Sequence, residues 1–194
     1  HIISKLSIKG VAGFILSNGS TSTIRKEELE IRKNIVEEGL VDCIVAMPTN
    51  LFYNVTIPVT IWILSKNKLS RKNKILLIDA RNMGFMETKV HRELRDEEIE
   101  KICQTYHNWR DSTSYADVDG FCKCIDIDEI KSSDYILTPG RYIDQSSCID
   151  TNNWDEELNE LSRNLTSLFK KSEKLKHQVE KQLNDILGIN NVKI

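Results

Sequence analysis

The residues best suited to chemistry lie between two prolines, in the run Pro48-Thr-Asn-Leu-Phe-Tyr-Asn-Val-Thr-Ile-Pro58, which holds Asn50, Phe52, Tyr53 and Asn54. An aromatic pair flanked by amides offers a stacking face together with donors and acceptors for the edge of a base. The other candidates carry less. Lys66, Lys68, Arg71, Lys72 and Lys74 crowd one polar turn; it reads first as a solvated hairpin tip and second as a weak DNA-phosphate contact through Lys68, Arg71 and Lys72. Cys43, Cys103, Cys122, Cys124 and Cys148 include no Cys-x-x-Cys pair and no histidine at zinc-finger spacing. Cys122-x-Cys124 lacks a second ligand pair, so no metal site is expected. Ser17-Asn18-Gly19-Ser20 has no phosphate-loop spacing and reads as a plain turn, and His107 reads as a packing or surface residue. No nucleophile with a base partner is visible, which argues against a self-contained α/β enzyme of another chemistry.

The elements that must hold the Pro48–Pro58 loop are two apolar runs, Leu40 to Met47 and Val59 to Ser65, which read as buried strands. The prolines cannot donate to a sheet ladder and confine the link to a loop. A parallel crossover needs about a dozen residues or more, so these strands are expected to pair antiparallel. Upstream, Val11 to Leu16 reads as a strand, with Gly13 suggesting close approach of another backbone. Ile24 to Glu38 then reads as a helix stopped by Gly39. The opening ten residues read as the last turns of a helix stopped by Gly10, as though the chain began inside a larger structure. Downstream, Ile75 to Ile78 is a strand, and Ala80 to Arg95, with His91, an ordered loop. Asp96 is read as the cap of a helix whose apolar positions are Ile99, Ile102, Tyr106 and Trp109. Phe121 to Ile125 reads as a strand, Asp126 as a cap for a short helix, and Thr138-Pro139-Gly140 as a firm turn.

Past a polar stretch, Ser146 to Asn153, read as a domain edge, Trp154 to Leu187 reads as one long helix with a heptad repeat. Leu158, Leu165, Ser172, Val179 and Ile186 share one heptad position and Leu161, Leu168, Leu175 and Gln182 the other, so seven of nine are apolar. Such a seam calls for a second helix, either a partner's or this chain's own domain.

The totals exclude little but sharpen these readings. At 194 residues, with 40% hydrophobic and 29% charged residues, the composition is that of an ordinary soluble domain with an appendage. A net charge of -2 gives no global argument for nucleic-acid binding, which must rest on a local surface. With no long apolar run and an odd, scattered cysteine set, the chain reads as cytoplasmic and non-membrane, its thiols reduced.

These residues carry a resemblance. Gly10-Val-Ala-Gly-Phe-Ile-Leu-Ser-Asn-Gly-Ser20, Glu30-Ile-Arg-Lys-Asn34, Leu40-Val-Asp-Cys-Ile-Val-Ala-Met-Pro48 and Asn50-Leu-Phe-Tyr-Asn54 resemble the modification (M) subunit of type I restriction-modification systems. So do Ile78-Asp-Ala-Arg81, Asp119-Gly-Phe-Cys122 and Leu137-Thr-Pro-Gly-Arg-Tyr142. The resemblance implies an adenine-N6 DNA methyltransferase that uses S-adenosylmethionine. It implies assembly with specificity and restriction subunits, and action on double-stranded DNA with a flipped adenine. The family's glycine-rich cofactor motif and its Asn-Pro-Pro-Phe motif are absent, since Pro48, Pro58 and Pro139 are all isolated.

The chain therefore resembles the C-terminal part of the subunit, expected neither to bind the cofactor nor to catalyse alone. The implied fold is α/β, the C-terminal part of a Rossmann-like sheet with an antiparallel final strand pair, plus the heptad helix. The expected division is 1–79 for the methyltransferase portion, 80–150 for a mixed α+β extension and 151–194 for the assembly helix. Within the loop, Phe52 is the first choice for the target-base contact, then Tyr53, with Asn50 beside them; one of the two rings is expected to plug the sheet's end instead. The resemblance assigns the seam of Leu158, Leu161, Leu165, Leu168, Leu175 and Val179 to the specificity subunit. The alternative is a free-standing helical module, or truncated regulatory copy, that binds this partner without catalysis.

Overall fold

Val41–Ala46 (β2) and Lys74–Asp79 (β4) are runs of β-branched and aliphatic residues buried on both faces, and they form the parallel centre of a five-stranded sheet. The computed structural model describes residues 1–68, 71–111, 114–143 and 154–187, with backbone alone at 154–157 and 184–187. It divides into two compact units, His1–Cys148 and Ile149–Ile194. In chain order the first unit has α1 (Ile2–Lys5), β1 (Val11–Ser17), a 3-10 turn at Asn18–Thr21, α2 (Lys26–Glu37), β2, β3 (Val59–Ser65) and β4. It continues with a two-stranded hairpin of β5 (Phe85–Met86) and β6 (Arg92–Glu93), then α3 (Asp96–Asp111), β7 (Cys122–Asp126), α4 (Ile127–Ser132) and a 3-10 turn at Pro139–Arg141.

The sheet order is β1-β3-β2-β4-β7, and every pairing but β2 with β4 is antiparallel. The short link across the prolines does return β3 antiparallel to β2, Cys43 facing Ile63 and Val45 facing Ile61. The outcome is a mixed α/β fold with a mostly antiparallel sheet. The pleat alternates the core between two faces. Ile44, Ile75 and Leu77 join Val36 and Ile130 on one side; Cys43, Val45, Leu76 and Ile78 join Trp109 and Phe121 on the other.

Several local expectations change. Gly13 has open space where a Cβ would stand, so no other backbone approaches that face of β1. The first helix ends at Lys5, well short of Gly10. Gly39 does end α2: at φ 66° it donates to Val36, and Leu40 donates to Ile35, satisfying carbonyls the helix leaves open. Residues 80–95 are not merely a loop, since they contain the β5–β6 hairpin. Asp96 is helical rather than a cap; Glu98 reaches back to the Arg95 N–H at 2.8 Å and also takes the Gly84 N–H at 2.9 Å. Asp126 stands at the cap position of α4 without a side-chain bond.

Among the described residues the second unit is one helix, α5 (Trp154–Leu187), about 50 Å long at 1.5 Å per residue. Leu158, Leu161, Leu165, Leu168, Leu175 and Val179 are all exposed along it. The Ser146–Asn153 edge and Cys148 lie outside the described residues, as does the side chain of Ile186.

Candidate functional site

Strands β1, β2 and β4 run in the same direction, so their C-terminal ends lie on one edge of the sheet, where open α/β sheets hold ligands. Four segments meet there, tied by hydrogen bonds between strand ends and loops. The Asn18 N–H donates to Pro58 O (3.1 Å), Thr60 Oγ1 donates to Asn18 Oδ1 (3.0 Å), and the Ala80 N–H donates to Ala46 O (2.8 Å). The 3-10 turn after Thr138 docks through Leu137 N–H to Thr21 O (2.9 Å) and through the paired Thr21 and Thr138 hydroxyls (2.9 Å). At the end of β4, Asp79 grips Arg81 in a two-pronged bond of 2.8 and 2.6 Å, which keeps the guanidinium charged. Gly140 packs so closely on this guanidinium that a Cβ there would collide with it.

The proline-bracketed loop stands out from this edge. Leu51, not an aromatic ring, packs back on the core. The expectation that one of the two rings plugs the sheet therefore fails: Phe52 is 42% and Tyr53 72% exposed. A tight turn, Val55 N–H to Phe52 O at 3.2 Å, puts both rings at the loop's tip. Asn50 is tied to the neighbouring hairpin. It adopts the left-handed region (φ 66°), its carbonyl accepts the Arg92 N–H at 2.8 Å, and its Nδ2 donates to Val90 O at 3.1 Å. Its amide N–H therefore clamps the loop to the β5–β6 hairpin, leaving Oδ1 as the atom able to meet a ligand. Through the same clamp Tyr53 stacks on His91, centroids 4.1 Å apart and planes 14° from parallel. His91 is a neighbour that sequence reasoning missed. The signal was its place two before Glu93 and four after Glu87, which share a face once the segment folds as a hairpin.

The basic turn is a correction. Lys68 is buried, and its ammonium donates to the carbonyls of Val41 (2.5 Å) and Lys74 (2.7 Å), so it cannot meet a phosphate. Burial pulls its pKa down to about 8. Arg71 bonds buried Asp42 at 2.7 Å and lies over the Trp109 ring at 4.6 Å, while Tyr106 donates to the other Asp42 oxygen at 2.8 Å. Of the three proposed contacts only Lys72 is exposed. The turn also lies at the opposite edge of the sheet from the aromatic loop.

A groove of about 1060 Å³ runs beside β1, lined by Phe14, Leu16, Trp62, Ile31, Ile35 and Arg32. Two of its polar groups serve the fold: Arg32 donates to the carbonyls of Tyr135, Thr23 and Ser20, and the Ser20 hydroxyl accepts from Trp62 Nε1. Ser17, Ser22, Thr23, Arg25 and Glu28 also line it. Burial pushes the pKa of the Cys122 and Cys124 thiols up.

A family model described as N-6 DNA Methylase matches residues 1–151. The chain is 41% identical over 184 residues to the type I restriction enzyme HindI methylase subunit of Haemophilus influenzae, covering 94% of this chain and 41% of that protein. It is 37% identical over 191 residues to the MjaIX methylase subunit of Methanocaldococcus jannaschii, covering 97% of this chain and 34% of that protein. Among solved structures it is similar to the type I restriction-modification system methyltransferase subunit from Streptococcus thermophilus. The TM-score there is 0.61 at 34% identity, over 70% of this chain and 27% of that one. The chain thus spans less than half the length of these relatives.

Proposed function

This chain belongs to the N-6 DNA methylase family, and from that premise we propose that it is part of a site-specific DNA adenine-N6 methyltransferase, the modification subunit of a type I restriction-modification system. Its aromatic loop contacts the target adenine, flipped out of double-stranded DNA. Its long helix binds the specificity subunit, and the restriction subunit joins the same cytoplasmic complex. S-adenosylmethionine supplies the methyl group in the complete subunit. The Rossmann-like sheet of that subunit continues across β1, which pairs on one side only among the described residues and exposes Val11, Ile15 and Leu16.

The observation that carries the base-contact reading is the pair of exposed rings on a loop whose backbone is clamped. A flipped base loses its stacking partners, and one aromatic face returns about 1 to 3 kcal/mol. Phe52 is the first choice because Tyr53 already stacks on His91. Asn50 supports the loop's shape, with its Oδ1 turned to the same task. The chain by itself carries no Asn-Pro-Pro-Phe motif to hold the adenine amine, so alone it transfers no methyl group. The test uses the complete subunit with its specificity subunit. Phe52→Ala should lower kcat/KM for methylation about 5- to 150-fold, the equivalent of 1 to 3 kcal/mol. Wild-type kinetics in both Phe52→Ala and Tyr53→Ala would remove the base contact.

A second reading rests on α5, whose exposed leucine seam suits a free-standing module that binds the specificity subunit without catalysis. Leu165→Asp should abolish the complex under either reading. Binding of the specificity subunit by this chain is expected under both; recovery of methylation when the upstream cofactor-binding half is restored favours the first, and its failure the second.

A further inference from the structure

The β5–β6 hairpin gathers three side chains that the base-contact reading does not use. Glu87 lies directly across the hairpin from His91, its N–H bonded to His91 O at 3.0 Å. Glu93 follows His91 by two residues and so stands on the same face. Gly84 (φ 81°) lets the strands close this tightly, since a Cβ there would come 2.5 Å from Glu93 O. Arg92 points elsewhere, its guanidinium bonding the carbonyls of Met83 and Gly84.

The result is an imidazole aimed between two carboxylates: His91 Nε2 lies 3.9 Å from Glu87 Oε2 and 3.8 Å from Glu93 Oε1, and one donor atom from each residue falls within 4.8 Å of the others. His91 is 6% exposed, and its Nδ1 is buried without a hydrogen-bond partner. Its Nε2 stands beyond hydrogen-bond distance of both acids. A nearly buried ring whose inner nitrogen has no hydrogen-bond partner is uncommon in a satisfied core.

We propose that Glu87, His91 and Glu93 form a binding site for a divalent first-row transition-metal ion, Zn²⁺ foremost. One imidazole with two carboxylates suits Zn²⁺, whereas Mg²⁺ and Ca²⁺ favour oxygen ligands throughout. Ligand atoms of a tetrahedral Zn²⁺ site stand roughly 3.4 Å apart, so the half-exposed glutamates need to close by about 0.5 Å on the imidazole and by no more than about 1.4 Å on each other. The fourth position faces solvent and takes water. All three ligands belong to one hairpin, so the ion staples it and fixes the ring on which Tyr53 stacks.

The test is Zn²⁺ titration of the full chain in competition with a chromophoric chelator, with Co²⁺ as a spectroscopic substitute. The expected result is one tight equivalent and a raised unfolding midpoint. Glu87→Gln and Glu93→Gln should each weaken binding about tenfold or more, and the double variant should lose it. Both are near-isosteric changes at half-exposed positions, so the metal-free variants should unfold at the wild-type midpoint. Co²⁺ should show visible bands without thiolate charge transfer. Retention of the equivalent in the double variant, a thiolate band, or wild-type binding no tighter than the double variant would overturn the site. None of these readouts depends on methyl transfer, so the metal site can fail while the base-contact reading stands, and the reverse.

Discussion

The loop after β2 and the turn after β3 leave the sheet at opposite edges, and they use their side chains in opposite ways. In the loop, the backbone is bonded to neighbouring segments while Phe52 and Tyr53 stay outside. In the turn, the side chains are turned inward: Lys68 serves two carbonyls, and Arg71 serves Asp42 and the face of Trp109. The reason is what each segment meets. The turn passes over a fully buried carboxylate and open strand ends, and buried polar groups of that kind demand partners. The loop passes over an apolar core that Leu51 satisfies, so its larger rings are not drawn in. Exposed aromatics above a satisfied core point to binding, whereas a cluster of cations above a buried acid points to folding.

The comparison breaks most readily at Asp42. Asp42→Ala leaves Arg71 nearly buried without its carboxylate and Tyr106 without its acceptor, and should lower the unfolding free energy by about 3 to 5 kcal/mol in a denaturant titration. A loss below about 1 kcal/mol would mean that the cations do not hold the turn. Lys68 gives a pH signature. Between about pH 8 and the ordinary lysine value of 10.5 the unfolded chain binds a proton that the folded chain does not. Its contribution therefore rises with pH through that window, is complete above 10.5 and is lost as pH falls through 8. The stability of wild type relative to Lys68→Met should grow by about 1 to 3 kcal/mol from pH 8 to 10.5; a flat difference would contradict the burial of a charged ammonium. The loop should respond in the other sense. Phe52→Ala, expected to slow methylation in the complete subunit, should change stability by less than about 1 kcal/mol because Phe52 is 42% exposed. The smallest effect belongs to Lys72→Ala. It should alter stability by no more than about 0.5 kcal/mol and leave the salt dependence of DNA binding by the complete subunit unchanged. A salt slope reduced by about one would return this turn to the DNA surface.

Much of the architecture was legible in the residues. Largely apolar runs marked β2, β3 and β4; the short proline-bounded link required antiparallel return; Gly39 stopped α2; and the heptad spacing outlined α5 to its bounds. The aromatic loop was legible too, because prolines and exposed-type residues are local signals. The hairpin at 85–93 was not, since two-residue strands have too few positions to show alternation. With it went the neighbourhood of His91 and the clamp from Asn50. Gly13 misled in the same way: a glycine in a strand shows that no side chain is needed, and only what packs on that face of the sheet shows whether a neighbour is there.

What the amino-acid sequence determined by itself was the family, the strand and helix runs and the loop that carries the rings, all of which depend on short-range pattern. What only the tertiary structure decided was which polar groups are consumed: Lys68 and Arg71 taken inward by Val41, Lys74 and Asp42, and Glu87, His91 and Glu93 turned toward one another. A charge's fate depends on the dielectric and the partners around it, and those are supplied by residues distant in the chain, 27 positions away for Lys68 and Val41 and 29 for Arg71 and Asp42.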